Sequence, residues 1–436
     1  MTPIATDSIA RRLSVWAPRL ASFFWLQAAA QALALAAGLI TVRALSVADF
    51  ALLTIALAVQ TTMVILADSG ITPALLARAG AVASDRRRFS EAVRTAVALR
   101  RRFQAAALAV GVPVLVVLLR WYGVSWTACV LAGCALAVSL HGNVQQTLYA
   151  TVLYLQLRPA DAQRAAVVSA AARLVAVGTA GLLFPHWIVF LGISAAAILA
   201  QGALTQRRAR IHLEEAAGVS AEDREAMMLA FKNQVLNGIY FAFQPQITVW
   251  ILTVFGTAST VADVGALTRL TIAFGLVSAA FGGLALPRFA RYREPVVVRR
   301  RYALLTLAMA VVGAAATGVA WLLPGPILSV LGPSYRHLSS ELLWLTAASA
   351  VSLVSAAVHQ LNTARGWVRG IWLGVPATIL MQILLAWFVD LSTVRGAILI
   401  QASAFAAPLL INVTIGLRGM RAMTVASAPH GEPSRE

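Results

Sequence analysis

Residues 48–67 read ADFALLTIALAVQTTMVILA, and residues 21–42 before them read ASFFWLQAAAQALALAAGLITV. A helix that crosses a bilayer needs about 20 apolar residues, and both stretches are long enough. Asp49 is the one charged residue in the two stretches. They therefore predict a pair of membrane-spanning helices near the start of the chain, joined by a short turn.

Similar apolar stretches recur along the whole sequence, and we count about twelve predicted spans. They are 21–42, 48–67, 103–119, 126–147, 165–184, 187–205, 233–255, 262–285, 303–323, 341–360, 371–389 and 396–417. The chain has 436 residues, of which 60% are hydrophobic and 12% are charged. This composition excludes a soluble protein and predicts an all-α, polytopic membrane protein.

Arginine is concentrated in alternate connections between the predicted spans. Most of the 35 Lys+Arg residues fall on one side, above all in 78–102, 207–232 and 288–301. Short basic loops stay in the cytoplasm, so both termini are predicted to be cytoplasmic. The net charge of +18 sits at helix ends, which favours anionic phospholipids as partners and not nucleic acid.

The sequence carries no recognisable catalytic or metal-binding motif. It lacks a phosphate loop, a zinc-protease motif and a hydrolase triad, so we predict no catalytic residues, no metal and no cofactor. Cys129 and Cys134 lie within one apolar stretch and read as small buried side chains. No connection is long enough for a soluble catalytic domain, which favours a function carried out within the bilayer.

A short motif of the first half of the chain is repeated in the second half. Val47-Ala48-Asp49 recurs as Val261-Ala262-Asp263, close to half a chain length later. We predict two parallel six-helix bundles around a central cavity. The predicted domains are 1–206, a cytoplasmic linker 207–232, a second bundle 233–421 and a disordered cytoplasmic tail 422–436.

Several amide side chains lie inside predicted spans. Gln27 and Gln31 are four residues apart and share one face of the first helix, and Gln244 and Gln246 flank Pro245 in the seventh. Proline breaks the helical hydrogen-bond ladder, so Pro245 is a candidate hinge. The glutamines either bind substrate in a cavity or join packed helices by hydrogen bonds.

Three arginines are candidates for binding an anion. Arg43 ends the first span, Arg269 lies inside the eighth, and Arg173 lies about 12 Å from the cytoplasmic side of the fifth. An arginine near the bilayer centre must face a carboxylate, water or an anionic ligand. Structural ion pairs remain the alternative for Arg173 and Arg269, and snorkelling to the surface for Arg43.

Asp68 and Asp263 are the candidate residues for ion coupling. Asp68 lies at the inner end of the second span and Asp263 in the first turn of the eighth. Local roles in a turn, or at the positive end of the helix dipole, are the alternative for each.

The stretch Arg43–Ala51, with the turn at Asp68 and Gly70, resembles the opening of bacterial polysaccharide-export flippases. These proteins belong to the superfamily that includes multidrug extruders and lipid II flippases. The stretch Gly265–Leu270 is similar to their eighth helix. The chain departs from the family where Ser46-Val47 replaces a Gly-Pro pair, which leaves open a different lipid-linked cargo.

The resemblance implies an exporter in the bacterial inner membrane that has no enzymatic activity. Its expected substrate is a polyprenyl-diphosphate-linked oligosaccharide, moved to the outer leaflet for cell-surface polysaccharide synthesis by alternating access. A polysaccharide polymerase and glycosyltransferases are expected partners. An ion-coupled drug or cation extruder, and a membrane polymerase or glycosyltransferase, remain alternatives.

Overall fold

A computed structural model describes residues 4–68, 70–82, 85–214, 218–286, 289, 292, 294–367 and 370–426. Across these ranges the regular structure is helical, with no β-strand. The chain divides into two compact units, Met1–Gln246 (unit 1) and Ile247–Glu436 (unit 2). The prediction of an all-α protein is confirmed.

Unit 1 contains eight described α-helices. They are α1 (Ile4–Ala44), α2 (Val47–Asp68), α3 (Ile71–Ala81), α4 (Arg86–Trp121), α5 (Trp126–Leu155), α6 (Pro159–Leu183), α7 (Trp187–Arg210) and α8 (Ala221–Phe243). A short 3-10 turn, Gln244–Gln246, follows α8. Within unit 1, α5 packs along α7, α1 along α6, and α2 against α4.

Unit 2 contains eight further α-helices within the described residues. They are α9 (Ile247–Phe255), α10 (Ala258–Leu270), α11 (Ile272–Ala280), α12 (Pro295–Leu322), α13 (Pro324–Leu331), α14 (Ser339–Ala364), α15 (Gly374–Ala386) and α16 (Val394–Ala426). A π-helical turn, Phe281–Ala285, extends α11. Helix α14 packs against both α12 and α16.

Ten helices in the described part of the chain are long and apolar enough to cross a membrane. The two other predicted spans are also helical but interrupted or short. The seventh falls on α8 and α9, on either side of the 3-10 turn at Pro245. The eleventh falls on the apolar helix Ile371–Ala386. The protein is therefore an integral membrane protein, with helices at all twelve predicted positions.

The basic segment 78–102 differs from the expected loop. It forms the last turn of α3 and the first turns of α4, which begins at Arg86 and not near residue 103. The Asp85 side chain caps α4 by accepting hydrogen bonds from the backbone N–H groups of Arg87 and Arg88. Arginine and alanine also have high helix propensity, so this segment extends the span outward as helix.

Helix α8 begins inside the predicted linker and packs in unit 1 against α2, α3 and α4. The Arg78 guanidinium lies 2.7 Å from Glu222 and 2.9 Å from Asp223 at the start of α8. The hydrogen bond from Arg78 holds the pKa of the Glu222 carboxyl below its ordinary value. The compact units of the structure divide at Gln246. The predicted domain boundaries at 206 and 233 stay a prediction.

Two predicted segments fall partly outside the described residues. Residues 287–288, 290–291 and 293, in the third basic connection, are outside them, as are residues 427–436 of the predicted tail. Helix α16 continues to Ala426, beyond residue 417, where the predicted span ends, and into the first five residues of the predicted tail.

Helices α5 and α7 approach closely because each has a glycine at their crossing. A Cβ added to Gly142 would lie 2.6 Å from the Leu199 backbone nitrogen, and one added to Gly202 would lie 2.6 Å from the Gly142 carbonyl oxygen. Small residues permit such backbone approach in membranes, where packing replaces the hydrophobic effect between helices.

Gly142→Ala should destabilise the protein by roughly 1–3 kcal/mol, because the added methyl group forces the two backbones apart. Thermal unfolding of the purified protein in detergent measures the effect as a melting temperature lowered by several degrees. Gly192→Ala on α7 is the control, since a Cβ there meets nothing within 4 Å. Equal melting temperatures for the two variants would contradict this account of the crossing.

Candidate functional site

Helices α1 and α6 carry four of the predicted site residues in unit 1, which are Gln27, Gln31 and Arg43 on α1 and Arg173 on α6. The two helices pack side by side. Gly181 near the end of α6 lies against Ala44 and Ile40 near the end of α1, which shows that the helices run parallel. Gln31 is nine residues before Ile40, about 180° around a helix of 3.6 residues per turn. Gln27 and Gln31 therefore lie on the half of α1 that points away from α6, and Gln31 is exposed.

Arg173 lies near the middle of α6. Helix α6 begins six residues before the predicted span, so Arg173 is roughly 21 Å from its first residue and 15 Å from its last, more central than expected. The Arg173 Nε is buried and makes no hydrogen bond. No described residue forms an ion pair with the Arg173 guanidinium. It is an uncompensated positive charge within the described part of unit 1.

Arg43 occupies a different position from the other unit 1 candidates. It lies in the last turn of α1 and is exposed. It is twelve residues beyond Gln31, about 120° around the helix, and so does not share the face of the two glutamines. Its location at the end of a span agrees with either an entrance to a cavity or snorkelling.

Asp68 pairs with a buried arginine that the sequence assigned to a loop. The Arg100 guanidinium lies 3.1 Å from the Asp68 carboxylate and donates to the Thr72 hydroxyl at 2.9 Å. The Thr72 hydroxyl in turn donates to Asp68 at 2.6 Å. Arg100 is only 1% exposed, and it is the largest side chain in the fully buried core. Asp68 thus neutralises a buried cation and also accepts from the Thr72 backbone N–H at the start of α3.

The 3-10 turn at Gln244–Gln246 interrupts the helical ladder between α8 and α9, where the sequence places a break. Pro245 at its centre is exposed, and the two flanking glutamines are half-buried. The turn packs against α2. A break exists at this position, and movement about it stays a prediction.

In unit 2, Asp263 lies near the start of α10 and is 8% exposed. The His337 Nε2 atom lies 3.4 Å from its carboxylate. Each of the two candidate coupling carboxylates therefore has a basic neighbour in the structure, Arg100 for Asp68 and His337 for Asp263.

Arg269 lies in the last turn of α10 and is half-buried, next in sequence to Thr268, which lines a cavity within unit 2. The cavity has a volume of about 290 Å³ and lies among α10, α11, α14 and α16. No charged side chain of the described chain lines it. Its polar lining consists of Thr268, Thr271, Ser278, Ser349, Ser352 and Gln401.

The cavity presents hydrogen-bond acceptors. The hydroxyl protons of Thr268, Thr271 and Ser349 are donated to backbone carbonyls of their own chain segment, at 3.0, 2.8 and 2.8 Å. Their remaining lone pairs are free to accept. The Gln401 Oε1 is buried and has no hydrogen-bond partner among the described residues. With Phe274 and Phe405 beside them, these groups suit a neutral ligand that bears hydroxyl groups.

Sequence reasoning missed Arg100 and Gln401. Arg100 was hidden in a run of exposed arginines, and nothing in the sequence marked it as the buried member. Gln401 had a usable signal, since it is an amide within the apolar span 396–417. A polar group in such a span is by default a candidate for function.

No protein-family model matches the chain, and no curated protein matches it. Solved structures do. The inward-closed lipid II flippase MurJ superposes with a TM-score of 0.73 at 10% identity, over 92% of this chain and 90% of that one. An inward-facing multidrug resistance MATE transporter of the MOP superfamily gives a TM-score of 0.70 at 16% identity, over 91% and 96%.

The chain has the fold of MATE transporters and MurJ. The Vibrio cholerae MATE transporter VcmN in its bent form is also similar, with a TM-score of 0.53 at 13% identity over 94% of this chain and 98% of that one. The expected fold is confirmed. Identities in this range establish the fold alone.

Asp68→Asn should lower the stability of the protein by about 1–3 kcal/mol, because buried Arg100 then keeps its charge without a carboxylate partner. Thermal unfolding in detergent measures the loss. Asp390→Asn is the control, since that carboxylate is exposed and accepts a hydrogen bond from the backbone N–H of nearby Ser392. Unchanged stability in Asp68→Asn, together with a lost ion dependence of transport, would instead assign Asp68 to coupling.

Proposed function

We propose that the protein is a flippase that moves a polyprenyl-diphosphate-linked oligosaccharide from the cytoplasmic to the outer leaflet of a bacterial inner membrane. The cargo serves cell-surface polysaccharide synthesis, and transport proceeds by alternating access. The fold supports a transporter, since both kinds of structural neighbour are transporters or flippases by name. Both termini are cytoplasmic in this proposal, as the arginine distribution predicts.

The observation that carries the proposal is Arg173. A guanidinium in the middle of a spanning helix is costly unless an acid, water or an anionic ligand compensates it. No described residue supplies the acid, which supports an anionic ligand. Guanidinium binds phosphate oxygens in bidentate geometry, so a diphosphate is a suitable anion.

The neutral part of the cargo requires different chemistry, which the cavity in unit 2 offers. Its acceptors, Gln401 among them, match the hydroxyl groups of a sugar, and its two phenylalanines match the apolar faces of a sugar ring. A volume of about 290 Å³ is suited to a group of monosaccharide size. The exposed amide of Gln31 is a further candidate for sugar contact.

The alternative function is an ion-coupled multidrug or cation extruder, which the MATE neighbours favour. Binding a cation within the bilayer requires an acid that is free to pair with it. Asp68 already faces Arg100, and Asp263 already faces His337. These pairs favour an anionic cargo over a cationic one.

A membrane polymerase or glycosyltransferase is a third possibility. If the protein is a flippase, these enzymes are its expected partners. Such enzymes commonly carry a long outer loop. The connections between the described helices are short.

Two energy sources suit the proposed flippase. One is the membrane potential acting on the anion, and the other is coupled movement of protons or sodium ions.

Arg173→Ala should abolish export in cells, with at least a tenfold rise in cytoplasm-facing polyprenyl-linked oligosaccharide, because a charge-assisted contact to the diphosphate is lost. The lipid fraction of a deletion strain complemented with each variant gives the measurement. Arg164→Ala is the matched control on the same helix, since Arg164 is exposed and pairs with Asp161 at 3.1 Å. An unchanged lipid fraction in the deletion strain itself would favour the extruder.

Arg269→Ala should likewise abolish export while the protein still reaches the membrane and unfolds at the wild-type temperature. Arg269 is half-buried and follows Thr268 of the unit 2 cavity in the sequence, and in this proposal its charge neutralises the cargo. Arg418→Ala, at an exposed position on α16, is the control. Normal export in the Arg269 variant would remove this residue from the site.

A further inference from the structure

We propose that unit 1 carries a second, separate site for the phosphate group of a lipid, in a cavity between the start of α4 and the end of α7. The cavity has a volume of about 510 Å³. Three arginines line it, Arg94, Arg101 and Arg210. None of the residues predicted for the transport site is part of its lining.

The three guanidinium groups come from two helices and converge on one cavity. Arg94 and Arg101 are seven residues apart, about two turns, and so share one face of α4. Arg210 lies in the last turn of α7. Arg101 and Arg210 form no ion pair with a described residue. Glu214 also lines the cavity, and its single carboxylate leaves the lining net positive.

The wall of this cavity is fixed by hydrogen bonds, so the site exists before a ligand binds. The segment after α7 is tied to α4 at three points. The Glu214 backbone N–H donates to the Ser90 hydroxyl at 2.8 Å, and the Ser220 backbone N–H donates to the Thr95 hydroxyl at 3.0 Å. The Arg94 guanidinium donates to the Glu214 carbonyl at 3.3 Å. A preformed wall reduces the entropy lost on binding.

The rest of the lining suits the junction between a headgroup and its acyl chains. Gln206 donates to the Tyr149 hydroxyl at 3.0 Å, which leaves the amide oxygen of Gln206 as an acceptor. Val93 and Val97 supply an apolar side next to the arginines. Basic pockets between spanning helices bind anionic lipid headgroups in this way. The shared chemistry is a phosphate ester, from an anionic phospholipid or from the diphosphate of a polyprenyl lipid.

Native mass spectrometry of the delipidated full-length protein tests the site. Phosphatidylglycerol and phosphatidylcholine are added in equal amounts, and bound lipid is counted for three proteins. These are the wild type, a variant with Arg94→Gln, Arg101→Gln and Arg210→Gln, and a control with Arg102→Gln, Arg299→Gln and Arg300→Gln. The control loses the same charge at exposed positions outside the cavity.

The wild type and the control should prefer phosphatidylglycerol by about tenfold or more, and the cavity variant should lose that preference. Farnesyl diphosphate and inorganic pyrophosphate are then added as competitors. Displacement by farnesyl diphosphate alone assigns the site to lipid diphosphates, displacement by both assigns it to the phosphate group itself, and displacement by neither assigns it to phospholipids. Equal binding of the two phospholipids to the wild type, or an equal loss in both variants, would overturn the proposal.

Discussion

A charged side chain inside hydrocarbon must find a compensating partner, and this constraint orders the interior of the protein. Buried Arg100 is paired with Asp68 and Thr72, and Asp263 has the His337 Nε2 atom at 3.4 Å. Arg173, in the middle of α6, is paired with no described carboxylate. Pairing therefore accounts for Arg100 and leaves Arg173, within the described part of unit 1, as a cation available to a ligand, and the proposed function begins there.

The two units, each taken by itself, carry different chemistry. Unit 1 contains the isolated guanidinium of Arg173, and unit 2 contains a cavity of neutral acceptors with Gln401 at its wall. The proposed cargo has a diphosphate that suits the first and sugar hydroxyl groups that suit the second. The many arginines at helix ends are predicted to set the orientation of the chain, and three of them, Arg94, Arg101 and Arg210, line a pocket of their own.

The fold could be predicted from the sequence because a span imposes a minimum apolar length, and all twelve predicted positions are helical. The limits of the helices could not, since α4 extends into arginine-rich sequence and α8 begins within the predicted linker, and both starts are helical for reasons of capping and propensity. The site could be predicted only in part. Arg173 could be predicted because it is an isolated charge within an apolar span. The pairing of Asp68 with Arg100 could not, because the two residues lie on different helices and no local sequence pattern connects them.

Leaflet transfer in proteoliposomes tests the central claim most directly. The purified protein is reconstituted with a labelled polyprenyl-diphosphate-linked oligosaccharide, and the fraction of label reached by an external lectin is followed with time. The account predicts transfer that depends on the protein and fails in Arg173→Ala but not in Arg164→Ala. Binding of the lipid without transfer, or transport of a cationic dye in its place, would contradict the account.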